Sequence, residues 1–431
     1  MASKNKLSVI IDIGTSKLVA IAGSKNEVGK LEISAVAKVP AKGVRRGIIF
    51  NIDEVADSVK ELLGILGSKI NENIEEVHVA YAGQHMKTIH FERTKFTSDD
   101  GIVSKSDIDS LYEQARGAEI EEGYKLVEII PVSFVIDNEP MENPVGSTGR
   151  KVEANFKLLV MPNSYWVNLL RVFGKLDVKL KKITLSTLAV AEAVLTTDEK
   201  EMGVIVLDIG CGTTNMAVFL DNNLIHTAVI PFGGEVVTSD IKEGCSILLK
   251  WAEQLKVQYG QALGDFADDQ KVVTIPGYNG WEPKEISFKS LAFIIQARVE
   301  EIIDSVNFQI EKSGVGDHLG AGIVLTGGTS NLDNIISLVK FRTGLDVRKG
   351  NLVLGLNEKH KELQSSENFT ALGLLNLAAE NIAVEEEEIP KIKPQKIRKQ
   401  KEPGKLSPWF NKVVQGVLDL VDDENEDIPL K

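Results

Sequence analysis

A strand–turn–strand pattern occurs twice in this chain of 431 residues. The two copies are VIIDIGTSKLVAI at 9–21 and VLDIGCGTTNMAVF at 206–219. In each copy an apolar run ends in Asp-Ile-Gly, small hydroxyl residues follow, and a second apolar run begins, as in a β-hairpin. One such turn indicates no function by itself. Two copies at a domain-scale separation predict a duplicated architecture in which the hairpins face each other.

The residue types in this repeated turn suit a polyphosphate ligand. Glycine lets backbone N–H groups come close to a phosphate, and Ser or Thr hydroxyls add further donors. Asp12 and Asp208, each at a strand end, can hold a hydrated Mg²⁺. Two facing hairpins would clamp a triphosphate from both sides. The sequence contains no G-x-x-x-x-G-K-S/T, so the predicted site is not a P-loop.

A third glycine signal is AGIVLTGGTSNL at 321–332. Its apolar residues at 323–325 predict a buried strand that ends at Gly327 and Gly328, and we expect a helix to begin near Asn331 and Leu332. Alone, this pattern fits any strand–turn–helix unit. The order of the three patterns along the chain, two hairpins followed by a Gly-Gly turn, resembles the actin-like ATPase superfamily. That superfamily includes actin, Hsp70 chaperones, sugar kinases and bacterial filament proteins.

Longer segments resemble one family of that superfamily, the bacterial cell-division protein FtsA, over about residues 7–385 and again at the C-terminus. Besides the two hairpins, the resemblance rests on IPFGGEVVTSDI at 230–241 and AEQLKVQYG at 252–260. It also rests on the segment that begins IIPVSFVID and ends KLLVMP, at 129–162, which resembles a subdomain that the family inserts into its first lobe.

The resemblance implies an α/β actin-like two-lobed fold with duplicated ribonuclease-H-like cores. It also implies an ATP site in which Asp12 and Asp208 orient Mg²⁺ through water. The implied nucleotide-binding residues are Asp12, Gly14, Thr15, Ser16, Lys17, Asp208, Gly210, Gly212, Thr213, Thr214, Gly234, Glu253, Lys256, Gly327, Gly328 and Thr329. Apart from the resemblance, Glu253 and Lys256 also fit a solvated pair on a helix surface.

Two positions depart from the family pattern. Cys211 stands where the second phosphate loop often has Gly, so we expect its side chain to point away from the phosphates or the loop to shift. Ser186 and Thr187 stand where relatives with brisk ATPase activity carry Glu-Pro, and serine is a poor general base. Glu192 lies further along the same predicted helix and is expected to point elsewhere. These departures predict at most slow ATP hydrolysis.

The pattern along the chain predicts six regions. An amphipathic helix near 52–66 marks the first inner subdomain, and the small-residue segment NFTALGLLNLA at 368–378 predicts a closely packed hinge helix. The predicted regions are 1–83, 164–198 and 368–384 (first-lobe inner subdomain), 84–163 (inserted outer subdomain), 199–233 and 315–367 (second-lobe inner subdomain), 234–314 (second-lobe outer subdomain), 385–406 (flexible, disordered linker) and 407–422 (amphipathic membrane-targeting helix).

The C-terminal segment SPWFNKVVQGVLDLVDDENEDIPLK follows the charged, proline-punctuated linker. At 100° per residue, its apolar side chains share one half of a helical wheel. A short isolated helix is marginal in water and needs a surface to pack on. We therefore expect a membrane anchor rather than a core helix, with these lipid-facing residues: Trp409, Phe410, Val413, Val414, Val417, Leu418 and Val421.

Composition bounds the possible partners and location. The net charge of −13 argues against nucleic acid. Two cysteines cannot form a disulfide framework, which favours a reducing compartment. The sequence shows no signal peptide and no uninterrupted apolar run of about 18 residues. Together with these bounds, the family resemblance implies a peripheral protein on the cytoplasmic face of the cell membrane.

Two functional hypotheses remain open. The family resemblance implies an ATP-binding protein that polymerises, anchors the C-terminal tail of FtsZ at 234–314, recruits other divisome proteins and acts at the division site. Within that subdomain, Arg298 is an expected exposed contact. The alternative is a small-molecule kinase or a pilus-assembly ATPase of the same superfamily. A tethered amphipathic helix and the insertion at 84–163 favour the first hypothesis.

Overall fold

The computed structural model describes residues 7–98, 100–277, 280 and 282–380 of the chain. The chain divides into one unit from Met1 to Ile392 and a second from Lys393 to Lys431. The linker predicted at 385–406 and the helix predicted at 407–422 lie outside the described residues, so both remain sequence-based predictions.

The helices and strands follow one another in this order. The first half comprises β1 (Ser8–Ile13), β2 (Lys17–Lys25), β3 (Leu31–Pro40), β4 (Val44–Arg45), β5 (Ile48–Ile49), α1 (Ile52–Ile70), β6 (Glu76–Tyr81), β7 (Lys87–Phe96), α2 (Lys105–Arg116), β8 (Tyr124–Ile136), β9 (Glu139–Met141), β10 (Lys151–Pro162), α3 (Asn163–Lys175), β11 (Lys179–Leu185), α4 (Ser186–Val194) and α5 (Thr197–Met202). The second half comprises β12 (Val204–Ile209), β13 (Thr214–Leu220), β14 (Asn223–Ile230), α6 (Gly234–Cys245), α7 (Leu249–Tyr259), β15 (Val272–Ile275), β16 (Lys284–Ser287), α8 (Phe288–Ser313), β17 (Gly322–Thr326), α9 (Ile335–Thr343), β18 (Val347–Lys349) and α10 (Phe369–Glu380).

Two five-stranded sheets share one plan. The first has the order β11-β6-β1-β2-β3 and the second has the order β14-β13-β12-β17-β18. In each sheet three consecutive strands form an antiparallel meander, and the first strand of the meander pairs in parallel with the next strand of the sheet. The predicted hairpins are therefore confirmed as β1–β2 and β12–β13, and so is the duplicated architecture.

A separate four-stranded antiparallel sheet lies between β6 and α3 in the chain. Its order is β7-β10-β8-β9, and α2 packs on it around buried residues such as Leu111 and Phe156. A capping box fixes the start of α2, in which Ser104 and Asp107 satisfy each other's backbone N–H groups. This sheet occupies most of the segment 84–163 that the sequence predicts as an inserted subdomain.

Helices α4 and α10 pack together between the two five-stranded sheets. Their side chains join residues of both sheets, including Ile10, Val206 and Leu372, in one buried apolar cluster. Gly373 is required at their closest approach, because a Cβ there would lie 1.7 Å from the carbonyl oxygen of Ala189. The close packing predicted for the small-residue helix is confirmed.

The prediction of a helix starting near Asn331 and Leu332 is wrong. A single 3₁₀ turn covers Gly328–Asn331, Leu332 is extended, and Asn334 adopts a left-handed backbone with φ of 59°. Helix α9 therefore begins only at Ile335. In the part of the chain that the structure describes, no helix has both the length and the apolar character needed to cross a bilayer.

Candidate functional site

A cavity of about 460 Å³ lies where the two hairpin turns and the Gly-Gly turn meet. Most of the predicted nucleotide-binding residues line it, although they come from four separate segments of the chain. The predicted residues in its wall are Asp12, Gly14, Thr15, Ser16, Lys17, Ser186, Asp208, Gly210, Gly212, Thr213, Glu253, Lys256, Gly327, Gly328 and Thr329.

The two hairpin turns have the same internal hydrogen bond. The Gly14 N–H donates to the carbonyl of Lys17 at 3.2 Å, and the Gly210 N–H donates to the carbonyl of Thr213 at 2.9 Å. The turns also face each other closely. A Cβ on Gly212 would lie 2.5 Å from the Thr15 hydroxyl, so only glycine lets the second turn come this near.

The two aspartates lie at the strand ends that open into this cavity. Asp208 is buried, with 9% of its surface exposed, and Asp12 keeps more of its surface open. Burial, and then the nearby Asp208 charge, raise the pKa of Asp12 to about 7. Burial raises the pKa of Asp208 to about 6, and hydrogen bonds from Asn215 and Thr326 limit that rise. The Lys17 charge lowers the pKa of Asp12 but does not offset these rises, so the two neighbouring acids make a region suited to binding positive charge.

Two predicted residues lie behind the cavity wall. Thr214 is fully buried, and its hydroxyl donates to the carbonyl of Phe232 at 2.9 Å. Gly234 begins α6, and its N–H donates to the carbonyl of Gly210 at 2.9 Å. Both residues therefore brace the second hairpin turn rather than line the cavity.

Lys256 is not part of a solvated surface pair. Its side chain is buried, and its Nζ donates to the carbonyl of Gly234 at 2.9 Å, to the Thr238 hydroxyl at 2.8 Å and to the Glu253 carboxylate at 2.7 Å. Glu253 itself is exposed on the cavity side. The surface-pair interpretation fails for Lys256, which ties the first turn of α6 to α7.

The Gly-Gly turn combines one crowded and one open position. Gly327 has φ of +90°, and a Cβ there would lie 2.4 Å from Asp208 Oδ1. Apart from Gly328 and its chain neighbours, no heavy atom of the described residues lies within 4 Å of a Cβ built on Gly328, so this position faces open space in the cavity. Thr329 connects this turn to the second hairpin, because its hydroxyl donates to the carbonyl of Gly210 at 2.9 Å.

Lys17 and Cys211 both have partners inside the cavity. The Lys17 amine forms an ion pair with Glu367. The thiol of Cys211 hydrogen-bonds with Ser16 of the facing hairpin, and burial raises the pKa of that thiol. The Cys211 side chain therefore lies against Ser16 of the first hairpin, and its expected orientation away from the phosphates, or a shift of the loop, stays a prediction.

The start of α4 presents the hydroxyl of Ser186 to the cavity instead of a carboxylate. Ser186 is buried in the cavity wall, and the fully buried Thr187 hydroxyl has no hydrogen-bond partner among the described residues. Glu192 accepts a hydrogen bond from Asn376 at 3.0 Å and pairs with Lys200 at 3.5 Å. Its expected orientation, away from the site, is confirmed.

Several wall residues were not predicted. Asn215 lies directly opposite Asp208 in the β12–β13 register. The turn covers 210–213, so pairing the residues on its two sides outward from the turn could have predicted this position from the sequence. Gly47 donates its N–H to the Thr15 hydroxyl at 3.1 Å. The remaining unpredicted wall residues carry no sequence signal that we could identify, and they are Ile13, Ala82, Val257, Asn331, Leu332, Ser366, Glu367 and Thr370.

Arg298 is not the exposed residue that we expected. It is half-buried on α8, and it forms a two-point pair with Asp240, with contacts of 2.5 and 3.1 Å. Glu301 binds a third nitrogen of the same guanidinium at 2.5 Å. These carboxylates raise the pKa of Arg298. Intramolecular partners therefore already occupy the group that was predicted to meet a peptide.

Comparison with solved structures defines the class of fold. The chain is similar to the PilM–PilN type IV pilus biogenesis complex, with a TM-score of 0.60 and 16% identity, over 87% of this chain and 99% of that one. It is also similar to MreB5 of Spiroplasma citri bound to ADP, with a TM-score of 0.53 and 15% identity, over 88% of this chain and 98% of that one. The protein has an actin-like α/β fold.

Sequence comparison defines the family. A family profile described as "Cell division protein FtsA" matches residues 205–373, and one described as "SHS2 domain inserted in FTSA" matches residues 83–160. The cell division protein FtsA of Neisseria meningitidis serogroup B is 31% identical over 401 residues, which cover 90% of this chain and 96% of that protein. The chain belongs to the FtsA family of cell division proteins.

Proposed function

We propose that this protein binds ATP with Mg²⁺ in the cavity, assembles into filaments and links FtsZ to the cytoplasmic face of the cell membrane at the division site. The observation that carries the proposal is the pair of facing hairpins in a chain of this family. Their backbone N–H groups, hydroxyls and two acids converge on one cavity. That donor set matches a polyphosphate with a divalent cation.

The residues present fit a hydrated magnesium ion. Asp12 and Asp208 supply carboxylates, and the buried Oδ1 of Asn215 is an acceptor to which none of the described residues donates. The cation would neutralise phosphate charge between the two hairpins. Turns 14–17 and 210–213 would hold the phosphates, and Gly328 leaves room for the nucleoside beside Glu253.

Hydrolysis is expected to be slow because the carboxylates in the cavity wall have other roles. Asp12 and Asp208 suit the cation, Glu253 pairs with Lys256, and Glu367 pairs with Lys17. Ser186 holds a water by hydrogen bonding but accepts a proton poorly at neutral pH. The proposed function is therefore that of a scaffold protein that binds nucleotide, not that of a fast enzyme.

Phosphate release by the full chain tests the hydrolysis part of the proposal. Wild type should turn over far more slowly than the typical enzyme rate of about 10 per second. Ser186→Glu, which places a carboxylate in the cavity wall, should raise turnover. The matched control is Glu192→Gln on the same helix, which should leave turnover unchanged. Fast turnover by wild type would contradict this part of the proposal.

The second-lobe outer subdomain, 234–314, is the proposed docking site for the FtsZ C-terminal tail. Family membership supports this assignment. Because Arg298 is engaged by Asp240 and Glu301, its contribution would require exchange of one carboxylate partner for the peptide. Peptide titration of wild type and of Arg298→Ala tests this, with Arg342→Ala as a control for an ion-paired arginine on α9. Equal affinity for all three proteins would remove Arg298 from the proposed interface.

The predicted helix at 407–422, outside the described residues, is the proposed membrane anchor. It should lie in the interface without spanning the bilayer. One copy should bind weakly, and a filament should bind tightly, because linked copies raise the effective concentration. Interactions with other divisome proteins are proposed to involve the insertion.

Vesicle co-sedimentation of the full chain with FtsZ, ATP and Mg²⁺ tests the complete proposal. We expect FtsZ to pellet with anionic vesicles only when this protein is present. Trp409→Glu should release both proteins from the vesicles while leaving the melting temperature unchanged. Gln415→Glu, which adds the same charge to the predicted polar face, should not. FtsZ that stays in solution beside wild type would overturn the proposed linkage.

A further inference from the structure

The second hairpin differs from the first in what lies beside its aspartate. Asp208 on β12 faces Asn215 across the antiparallel pair and Thr326 across the parallel pair. Residues directly opposite each other on paired strands project from the same face of the sheet. Asn215 therefore stands beside the Asp208 carboxylate and lines the same cavity.

The nitrogen and the oxygen of the Asn215 side-chain amide differ in their hydrogen bonding. Its N–H group belongs to the residue directly opposite Asp208 and is placed to donate to that carboxylate, which lowers the pKa of Asp208. Its Oδ1 is buried and has no donor in the part of the chain that the structure describes. A buried acceptor without a partner is unfavourable by about 1–3 kcal/mol, so a donor arriving from the cavity would restore that energy.

We propose that Asn215 is a positioning residue for the cation of the nucleotide site. Its N–H holds the Asp208 carboxylate in one orientation, and its Oδ1 accepts a hydrogen bond from a water of the bound cation. The proposal rests on the Mg²⁺–nucleotide function proposed above. It adds a third side chain to the two acids, and this side chain carries no charge.

Nucleotide affinity with and without Mg²⁺ separates this role from a structural one. The quantity to measure is the ratio of the ADP Kd in EDTA to the ADP Kd in Mg²⁺, by calorimetry on the full chain. For Asn215→Leu we expect this ratio to fall about tenfold, which corresponds to the loss of one hydrogen bond to a charged partner. The affinity in EDTA should change little.

A second variant keeps the test valid if Asn215→Leu folds poorly. Asn215→Asp retains an oxygen acceptor and adds a charge, so the ratio should hold or rise while affinity in EDTA falls. The control is Asn376→Leu, which removes a buried Asn that donates to the Glu192 carboxylate outside the cavity wall. That control should leave the ratio at the wild-type value.

Three outcomes are decisive. A lower ratio for Asn215→Leu, with the ratio retained by Asn215→Asp, supports the proposal. An unchanged ratio in Asn215→Leu, or an equal loss of affinity with and without Mg²⁺, overturns it and leaves the ATP site standing. A wild-type protein that binds no ADP, or binds it without regard to Mg²⁺, overturns the proposed Mg²⁺–nucleotide function and this inference with it.

Discussion

The two hairpins share a turn but differ in the surroundings of their aspartates. In the first, Asp12 faces Val19 across the antiparallel pair and Ala80 across the parallel pair. In the second, the corresponding neighbours of Asp208 are Asn215 and Thr326. The strand neighbours of Asp12 are therefore apolar, and those of Asp208 are hydrogen-bond donors.

This difference explains the order of the two pKa values. Burial raises both, but the donors beside Asp208 favour its ionised form, so its pKa reaches about 6 while that of Asp12 reaches about 7. A duplicated backbone thus supports two chemically distinct halves. Asp208 therefore loses its proton more readily than Asp12, and a bound cation would favour the ionised form of both.

The largest expected effect comes from removing each acid. With Mg²⁺ present, Asp208→Ala should weaken ATP binding about 100-fold and Asp12→Ala about tenfold, each through lost charge-assisted hydrogen bonds to the cation's waters. Calorimetry with both variants measures the two losses. Equal losses of ATP affinity would contradict the proposed difference between the two aspartates. Full ATP affinity in Asp208→Ala would contradict the proposed Mg²⁺–nucleotide site.

The pH dependence of stability should distinguish the same two residues. The folded chain binds more protons than the unfolded chain between the ordinary pKa of 3.8 and the raised values, so stability should fall as pH rises through that window. At pH 8 without ligand, Asp12→Asn should stabilise the protein by about 1–2 kcal/mol, a figure reduced from the full shift because Asp12 is open to cleft water.

Thermal unfolding of the two asparagine variants at pH 4 and pH 8 checks this. Asp208→Asn should show a smaller gain than Asp12→Asn, because the pKa of Asp208 is raised less. The gain should be absent at pH 4 for both variants. A larger gain for Asp208→Asn would reverse the comparison.

Adding a methyl group to each turn should separate contact within a hairpin from contact between hairpins. In Gly14→Ala the new Cβ would lie 2.8 Å from the Lys17 carbonyl of its own turn. We expect a stability loss of about 1 kcal/mol from this crowding. In Gly212→Ala the clash is with the Thr15 side chain of the facing turn, and a shift of the two turns away from each other would relieve it, so stability should change less.

Binding and melting measurements on these two variants complete the test. Gly212→Ala should weaken ADP binding about fivefold, because the turns are pushed apart where the phosphates are proposed to bind. If Gly212→Ala melts at a much lower temperature than Gly14→Ala, the facing contact supports the fold more than it shapes the cavity.

The smallest expected effect concerns Lys17, a basic residue of the first hairpin that has no counterpart in the second hairpin. Glu367→Gln removes the ion-pair partner of Lys17 and frees its amine for a phosphate. Stability should change by less than about 1 kcal/mol, as for partly exposed pairs. ATP affinity should rise about twofold. Glu380→Gln, which breaks the Lys25 pair outside the cavity wall, is the matched control and should leave ATP affinity unchanged.

The sequence predicts much of this site because its signals are local. An apolar run, a Gly-containing turn and a second apolar run specify a hairpin wherever they occur, so β1–β2 and β12–β13 followed from residue spacing. Gly327 and Gly328 likewise marked the turn after β17. The helix start near Asn331 was placed too early because the left-handed backbone at Asn334 carries no equally strong signal.

By itself the sequence determined the repeated turns, the two acids and the small-residue helix that joins the lobes, since each depends on neighbours along the chain. Only the tertiary structure decided what each side chain faces. It buried Lys256 against α6, engaged Arg298 with Asp240 and paired Lys17 with Glu367. These partners lie far apart in sequence, and their pairing depends on burial and distance, which the packing of separate elements sets.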